Sequence, residues 1–114
     1  MIISLNSNLT NKANREWLKL YDSGYIKWSG EYRTITVPNF GSYSEMLFIG
    51  MWYDNPYMSM TLPVSEFKKK YNTGVRVAMQ LSEKSLISFY YISDTQISLY
   101  DSMGNYDHLQ IFVR

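Results

Sequence analysis

Between Tyr32 and Leu62 apolar and polar side chains alternate with a period of two, and turn residues punctuate the runs. In the first run Arg33, Ile35 and Val37 fall on one side and Tyr32, Thr34 and Thr36 on the other, and Pro38 to Gly41 stop it. Residues 45–53 are apolar on both sides, as a strand central to a sheet should be. Asp54, Asn55 and Pro56 make a turn, after which Met58, Met60 and Leu62 face inward against Tyr57, Ser59 and Thr61. A side-chain period of two with turns between the runs predicts antiparallel strands and leaves no room for a long helix.

The same pattern continues. Val75, Val77, Met79 and Leu81 share a side, residues 86–92 form an apolar run, and Ile97 and Leu99 point inward. Leu109, Ile111 and Val113 finish the last strand. Phe89, Tyr90 and Tyr91 must point alternately, so at least one ring faces away from the core. Residues 63–71 are polar and suit one helical turn, with Ser65 as its cap. Residues 14–21 fit either period, but turn signals at Asp22 to Gly24 and Trp28 to Gly30 follow them, and they read as the first strand. Seven to nine short strands at this spacing predict a sandwich or a closed barrel.

The first fourteen residues differ. Ile2, Leu5 and Leu9 recur at spacings of three and four among Ser4, Asn6, Ser7 and Asn8. That narrow apolar stripe suits a helix seamed against copies of itself. So short and asparagine-rich a helix is marginal alone in water, which leaves a frayed tail or an edge strand as the alternative.

A chain of 114 residues holds one domain and buries roughly two-thirds of its unfolded surface. It has no cysteine, so disulfides and thiolate metal sites are excluded. Eleven basic against ten acidic side chains give a net charge of +1, no field to draw in nucleic acid or an anionic membrane. Lys68, Lys69 and Lys70 are the one basic cluster and read as a solvated loop or edge guard. No run approaches the ~20 apolar residues that span a bilayer. Eleven tyrosines, three tryptophans and five phenylalanines make the aromatic load heavy. Tyrosine joins an apolar ring to a polar tip, so it serves both strands and wet binding surfaces.

Catalytic chemistry finds little purchase. His108 is the single histidine and reads as a surface or hydrogen-bonded residue. No serine lies in a nucleophile elbow with which it and Asp101 or Asp107 could work. The acidic residues fall at turns or exposed positions, and nothing selects a facing pair. Residues 101–107 lack the alternating ligands and closing glutamate of a calcium loop, and Gly104 and Asn105 suit a hairpin. No catalytic residue, metal or cofactor is expected. For recognition the candidates are Trp52, Tyr53, Asp54, Asn55 and Tyr57, three aromatics around a turn that also offers a carboxylate and an amide. Such a set stacks on a sugar ring and hydrogen-bonds its hydroxyls. The plainer alternative has Trp52 anchoring the core and Tyr57 opening a strand.

From Trp17 to Arg114 the order of short motifs resembles the C-terminal β-domains that end many bacteriophage tail-fibre and related tail proteins. A W-x-L opening at Trp17 to Leu20 leads to a Ser-Gly turn, then to Thr34, Ile35, Thr36, Val37, Pro38 and Asn39. Phe40, Tyr43 and Glu45 to Phe48 follow, then Leu62 with Pro63, Arg76 to Met79, and the closing Leu109 to Arg114. Residues 5–12 resemble the stalk segment that precedes such tips. In the usual ending a Tyr-Gly pair follows the isoleucine, where this chain has Phe112 and Val113.

The resemblance implies an all-β, antiparallel β-sandwich of jelly-roll-like form over residues 15–114, preceded by a short N-terminal helical stalk at residues 1–14. It implies a homotrimer joined along Ile2, Leu5 and Leu9, made in the host cytoplasm and carried in the virion. Its partner would be a bacterial cell-surface receptor, a glycan or an outer-surface protein, with no nucleic acid, no membrane insertion and no enzymatic step. A stand-alone carbohydrate-binding, lectin-like module is the alternative.

Overall fold

The computed structural model describes residues 17–28, 30–53, 55–80, 86–101 and 104–114. The expected stalk, with Ile2, Leu5 and Leu9, lies outside them, as do Asp54 and Leu81. The elements run β1 (Leu18–Asp22), β2 (Ile26–Trp28), β3 (Tyr32–Thr36), a 3₁₀ turn (Phe40–Ser42), β4 (Glu45–Trp52) and β5 (Asn55–Pro63). Then come α1 (Val64–Lys68), β6 (Val77–Gln80), β7 (Leu86–Ser93), β8 (Gln96–Asp101) and β9 (Gly104–Val113).

Two antiparallel sheets result. One has the order β1-β9-β4-β5, with β2 also on β9 beyond β1, and the other has the order β3-β8-β7-β6. The pairings of β1 with β9 and of β3 with β8 nest one end of the chain against the other. In contrast, β4–β5, β6–β7 and β7–β8 join chain neighbours. The doubly apolar β4 lies between β9 and β5, as its composition predicts. Pro56 and Pro63 stand at the ends of β5, an edge strand of this sheet, where a missing donor is tolerated.

Period two sorts the side chains into an inner and an outer row on each sheet. Met46, Phe48, Leu109, Ile111 and Val113 from the first sheet meet Met79, Ile87, Phe89, Ile97 and Leu99 from the second, all buried in one core. The rings of Phe48 and Phe89 lie 4.4 Å apart across the two layers. Phe67, from α1, packs edge-on to Phe48 and lies 6.1 Å from Phe40, so the short helix plugs one end.

Two local expectations need correction. Met58 lies in the inner row with Met60 and Leu62 but is 40% exposed rather than buried, because β5 is an edge strand and its partner there is Gly50, which offers no side chain to pack against. Ser65 does not cap α1. The helix starts at Val64 behind Pro63, since Val64 and Phe67, three apart, are both driven into the core. Phe89, Tyr90 and Tyr91 do alternate: Phe89 is buried, and Tyr91 packs edge-on to Phe40 and Phe67. Tyr90 lies on the outer face, beside Arg76.

A close approach locks the corner where the 3₁₀ turn meets the β7–β8 connection. The Gly41 amide donates to the Asp94 carbonyl at 3.1 Å, so near that a Cβ on Gly41 would sit 2.5 Å from Asp94 Cβ. Asp94 also accepts from the Tyr91 hydroxyl and pairs with Lys68 Nζ at 3.3 Å. Burial first, and then the neighbouring Asp94 carboxylate, push the Tyr91 hydroxyl up to about 12. Gly41→Ala is therefore expected to lose about 1–3 kcal/mol in urea unfolding with an unchanged m value. Stability equal to the parent chain would show that this backbone approach is not a constraint.

Candidate functional site

The β4–β5 hairpin carries the recognition residues that the sequence singles out. Trp52 pairs with Asn55, so Tyr53 opens the two-residue connection between the strands. Such loops favour residues with positive φ, usually glycine or asparagine. Tyr53 occupies that conformation at φ 56°. An aromatic side chain there costs about 1 kcal/mol relative to glycine. Its ring lies 5.1 Å from that of Trp52. A register shift between Gly50 and Met51 leaves Tyr57 as the extra residue opposite them and helps turn it outward. Trp52, Tyr53 and Tyr57 are 48%, 44% and 42% exposed, so Trp52 is not a core anchor. Asn55 is exposed beside them, while Asp54 lies outside the described residues.

His108 belongs to a different arrangement. Its Nε2 donates to Asp22 Oδ1, since the ionised carboxylate can only accept. Asp22 also accepts from the Gly24 amide at 2.9 Å, from Gln110 Nε2 at 3.0 Å and from Lys19 Nζ at 3.3 Å. Burial opposes its ionisation, but these donors outweigh it and hold the carboxyl well below the usual carboxylate range. The Tyr25 ring stands edge-on to the imidazole at 5.7 Å. His108 Nδ1 is buried with no hydrogen-bond partner among the described residues, and no serine hydroxyl reaches it there. The pair pins β1 to β9. Among the described residues no group of His, Asp and Glu could hold a metal ion. The lysine run is similarly local: Lys68 pairs with Asp94 and Lys69 with Glu66.

The outer face of the four-stranded sheet forms a second aromatic surface. Its cross-strand rows are Tyr32, Tyr100 and Ser88, then Thr34, Ser98 and Tyr90. The rings of Tyr32 and Tyr100 lie 4.8 Å apart. Arg76, just before β6, reaches across β7 to β8: its Nε donates to Ser88 Oγ at 2.8 Å and its Nη2 to the Ser98 carbonyl at 3.0 Å. The guanidinium carbon lies 5.3 Å from the Tyr32 ring centre and 5.6 Å from that of Tyr90.

No family model, curated protein or solved structure matches this chain.

The first and last described residues are neighbours in space. Arg114 stacks on the Trp17 ring at 4.2 Å and donates to Glu45 Oε1 at 2.9 Å. The hairpin aromatics were visible as a cluster in the sequence. The Asp22–His108 pair was not, being separated by 86 residues. Arg76 stands in a strand motif, and the period of two puts Tyr32 and Thr34 on one side of β3, but the pattern does not say which side faces out, and nothing local joins the two.

Asp22→Ala is expected to cost about 1–2 kcal/mol at neutral pH, because the carboxylate is a third exposed and only part of each bond is net stabilisation. A depressed native pKa contributes stability above the unfolded value of about 4 and loses it as the pH falls toward the native value. The gap between parent and variant should therefore narrow below about pH 4 in thermal melts. A gap that stays constant from neutral to acid pH would contradict the role given to this carboxylate.

Proposed function

We propose that this chain is a structural and adhesive component of a bacteriophage tail fibre, a homotrimeric tip that binds a bacterial surface glycan or outer-surface protein without covalent chemistry. The observation that carries the reading is Tyr53, kept in a left-handed conformation on an exposed loop beside Trp52. Stability alone favours glycine or asparagine there, so an exposed aromatic ring is better explained by contact with a partner. The motif order from Trp17 to Arg114 supports the virion assignment. The stripe of Ile2, Leu5 and Leu9 supports a stalk that orders by self-association.

The outer face of the five-stranded sheet supports contact between copies. Leu47 lies beside Phe112 on that face, with Ile49 and Met51 continuing the row on β4, all half-buried. An apolar row on an outward sheet face favours burial against another surface. The stand-alone glycan-binding alternative draws support from the tyrosine and hydroxyl rows of the opposite sheet.

Light scattering on the eluting protein separates the two readings: a mass near three chains fits the tip, and a dilute monomer fits the independent module. Labelled protein should adsorb to the surface of cells in a panel of bacteria. Tyr53→Gly should lower that adsorption about tenfold while leaving stability unchanged or raising it by up to about 1 kcal/mol. Adsorption indifferent to both Tyr53→Gly and Trp52→Ala would remove the hairpin from recognition.

A further inference from the structure

Arg76 is a partly buried cation whose surroundings neutralise it only with dipoles and rings. Its hydrogen bonds run from Nε to Ser88 Oγ and from Nη2 to the Ser88 carbonyl, the Ser98 carbonyl and Ser98 Oγ, at 2.8, 3.3, 3.0 and 3.4 Å. Among the described residues no carboxylate pairs with it, and Nη1 has no protein acceptor. The small side chains of Ala78, Ser88 and Ser98 leave the floor on which the guanidinium lies, and Tyr32 and Tyr90 flank it. The group is thus fixed by its inner nitrogens with one outer nitrogen left to donate.

We propose that this face binds a carboxylate-bearing saccharide, with Arg76 Nη1 donating to the carboxylate and the rings of Tyr32, Tyr90 and Tyr100 as the apolar floor for the sugar. An uncompensated guanidinium held in place attracts an anion strongly, because the desolvation and ordering costs are already met in the free protein. Tyrosine faces and hydroxyl rows suit a pyranose ring, which is apolar on its flat side and polar at its rim. Tyr32 is 69% exposed, so the floor is open. A single cation matches the single charge of a carboxylate better than the two of a phosphate monoester. The hydroxyl-rich rows of Thr34, Ser88 and Ser98 set this face apart from the apolar outer row of the opposite sheet, which is the better contact for a second copy. The site lies on the other layer from the Trp52–Tyr53 hairpin and depends neither on the hairpin nor on trimer assembly.

The test is titration of the isotope-labelled full chain, followed by backbone amide shifts and the Arg76 Nε–H signal. The probes are tetragalacturonate and 3′-sialyllactose, with methyl-esterified tetragalacturonate and lactose as neutral counterparts. At least one acidic sugar should saturate with a millimolar or tighter Kd, shifting residues of β3, β7 and β8 together with Arg76, and which one does so identifies uronate or sialic acid as the source. Its neutral counterpart should bind about tenfold more weakly. Arg76→Lys should weaken the acidic sugar about tenfold and leave the neutral one unchanged, and Tyr32→Ala should weaken both, with dispersed spectra showing that each variant folds. No shift on this face up to about 10 mM, or equal binding of acidic and neutral sugars, would overturn the proposal. So would a Tyr32→Ala variant that alters the mass of the assembly and leaves sugar binding intact. Loss of cell adsorption in hairpin variants bears on the tip reading alone.

Discussion

The contact between Phe48 and Phe89 across the two layers is the constraint on which the rest depends. Each ring belongs to the inner row of its own sheet, and their centres lie 4.4 Å apart in a tilted stack. Because side chains alternate strictly along a strand, fixing one row inward fixes the other outward. A slip of one residue in β7 would expose Phe89 and bury Tyr90 and Ser88. The burial of Met46, Ile87, Ile97, Leu99, Leu109 and Ile111 around the same contact makes such a slip prohibitive. The outward faces are therefore consequences of the core.

Those faces differ in kind. The five-stranded sheet turns out Leu47, Ile49, Met51 and Phe112, with the Asp22–His108 pair beside Met51 on the same side. The four-stranded sheet turns out tyrosines, serines and threonines around one clamped arginine. A sandwich with one apolar and one hydroxyl-rich exterior presents two chemically distinct surfaces. The exposed hairpin adds aromatic rings at the end of β4, held there by a backbone conformation that opposes stability.

How much of this was legible follows from the range of each interaction. The strands β3, β4 and β5 could be read because their signal is local, a period of two over five to nine residues. The shared side of Tyr32, Thr34 and Thr36 and the central place of β4 came with it, while the side that faces out did not. The exposure of Met58 was not legible because pattern alone does not tell an edge strand from a central one, nor that Gly50 would be its partner. The cap at Ser65 was misread because Val64 and Phe67, by entering the core, set the start of α1. The hydrogen bond between Asp22 and His108 and the path of Arg76 over Ser88 and Ser98 depend on strand order, which periodicity does not encode. The hairpin aromatics lay within six residues and needed no tertiary knowledge to be grouped, although their exposure did.

Nuclear Overhauser contacts between aromatic ring protons test the layered core most directly. With stereoselective labelling of phenylalanine, strong cross-peaks are expected between Phe48 and Phe89 and weaker ones from Phe67 to Phe48, in line with centroid separations of 4.4 and 6.3 Å. A folded, well-dispersed spectrum lacking the Phe48–Phe89 contact would contradict the packing of the sheets, and with it the outward faces assigned to both.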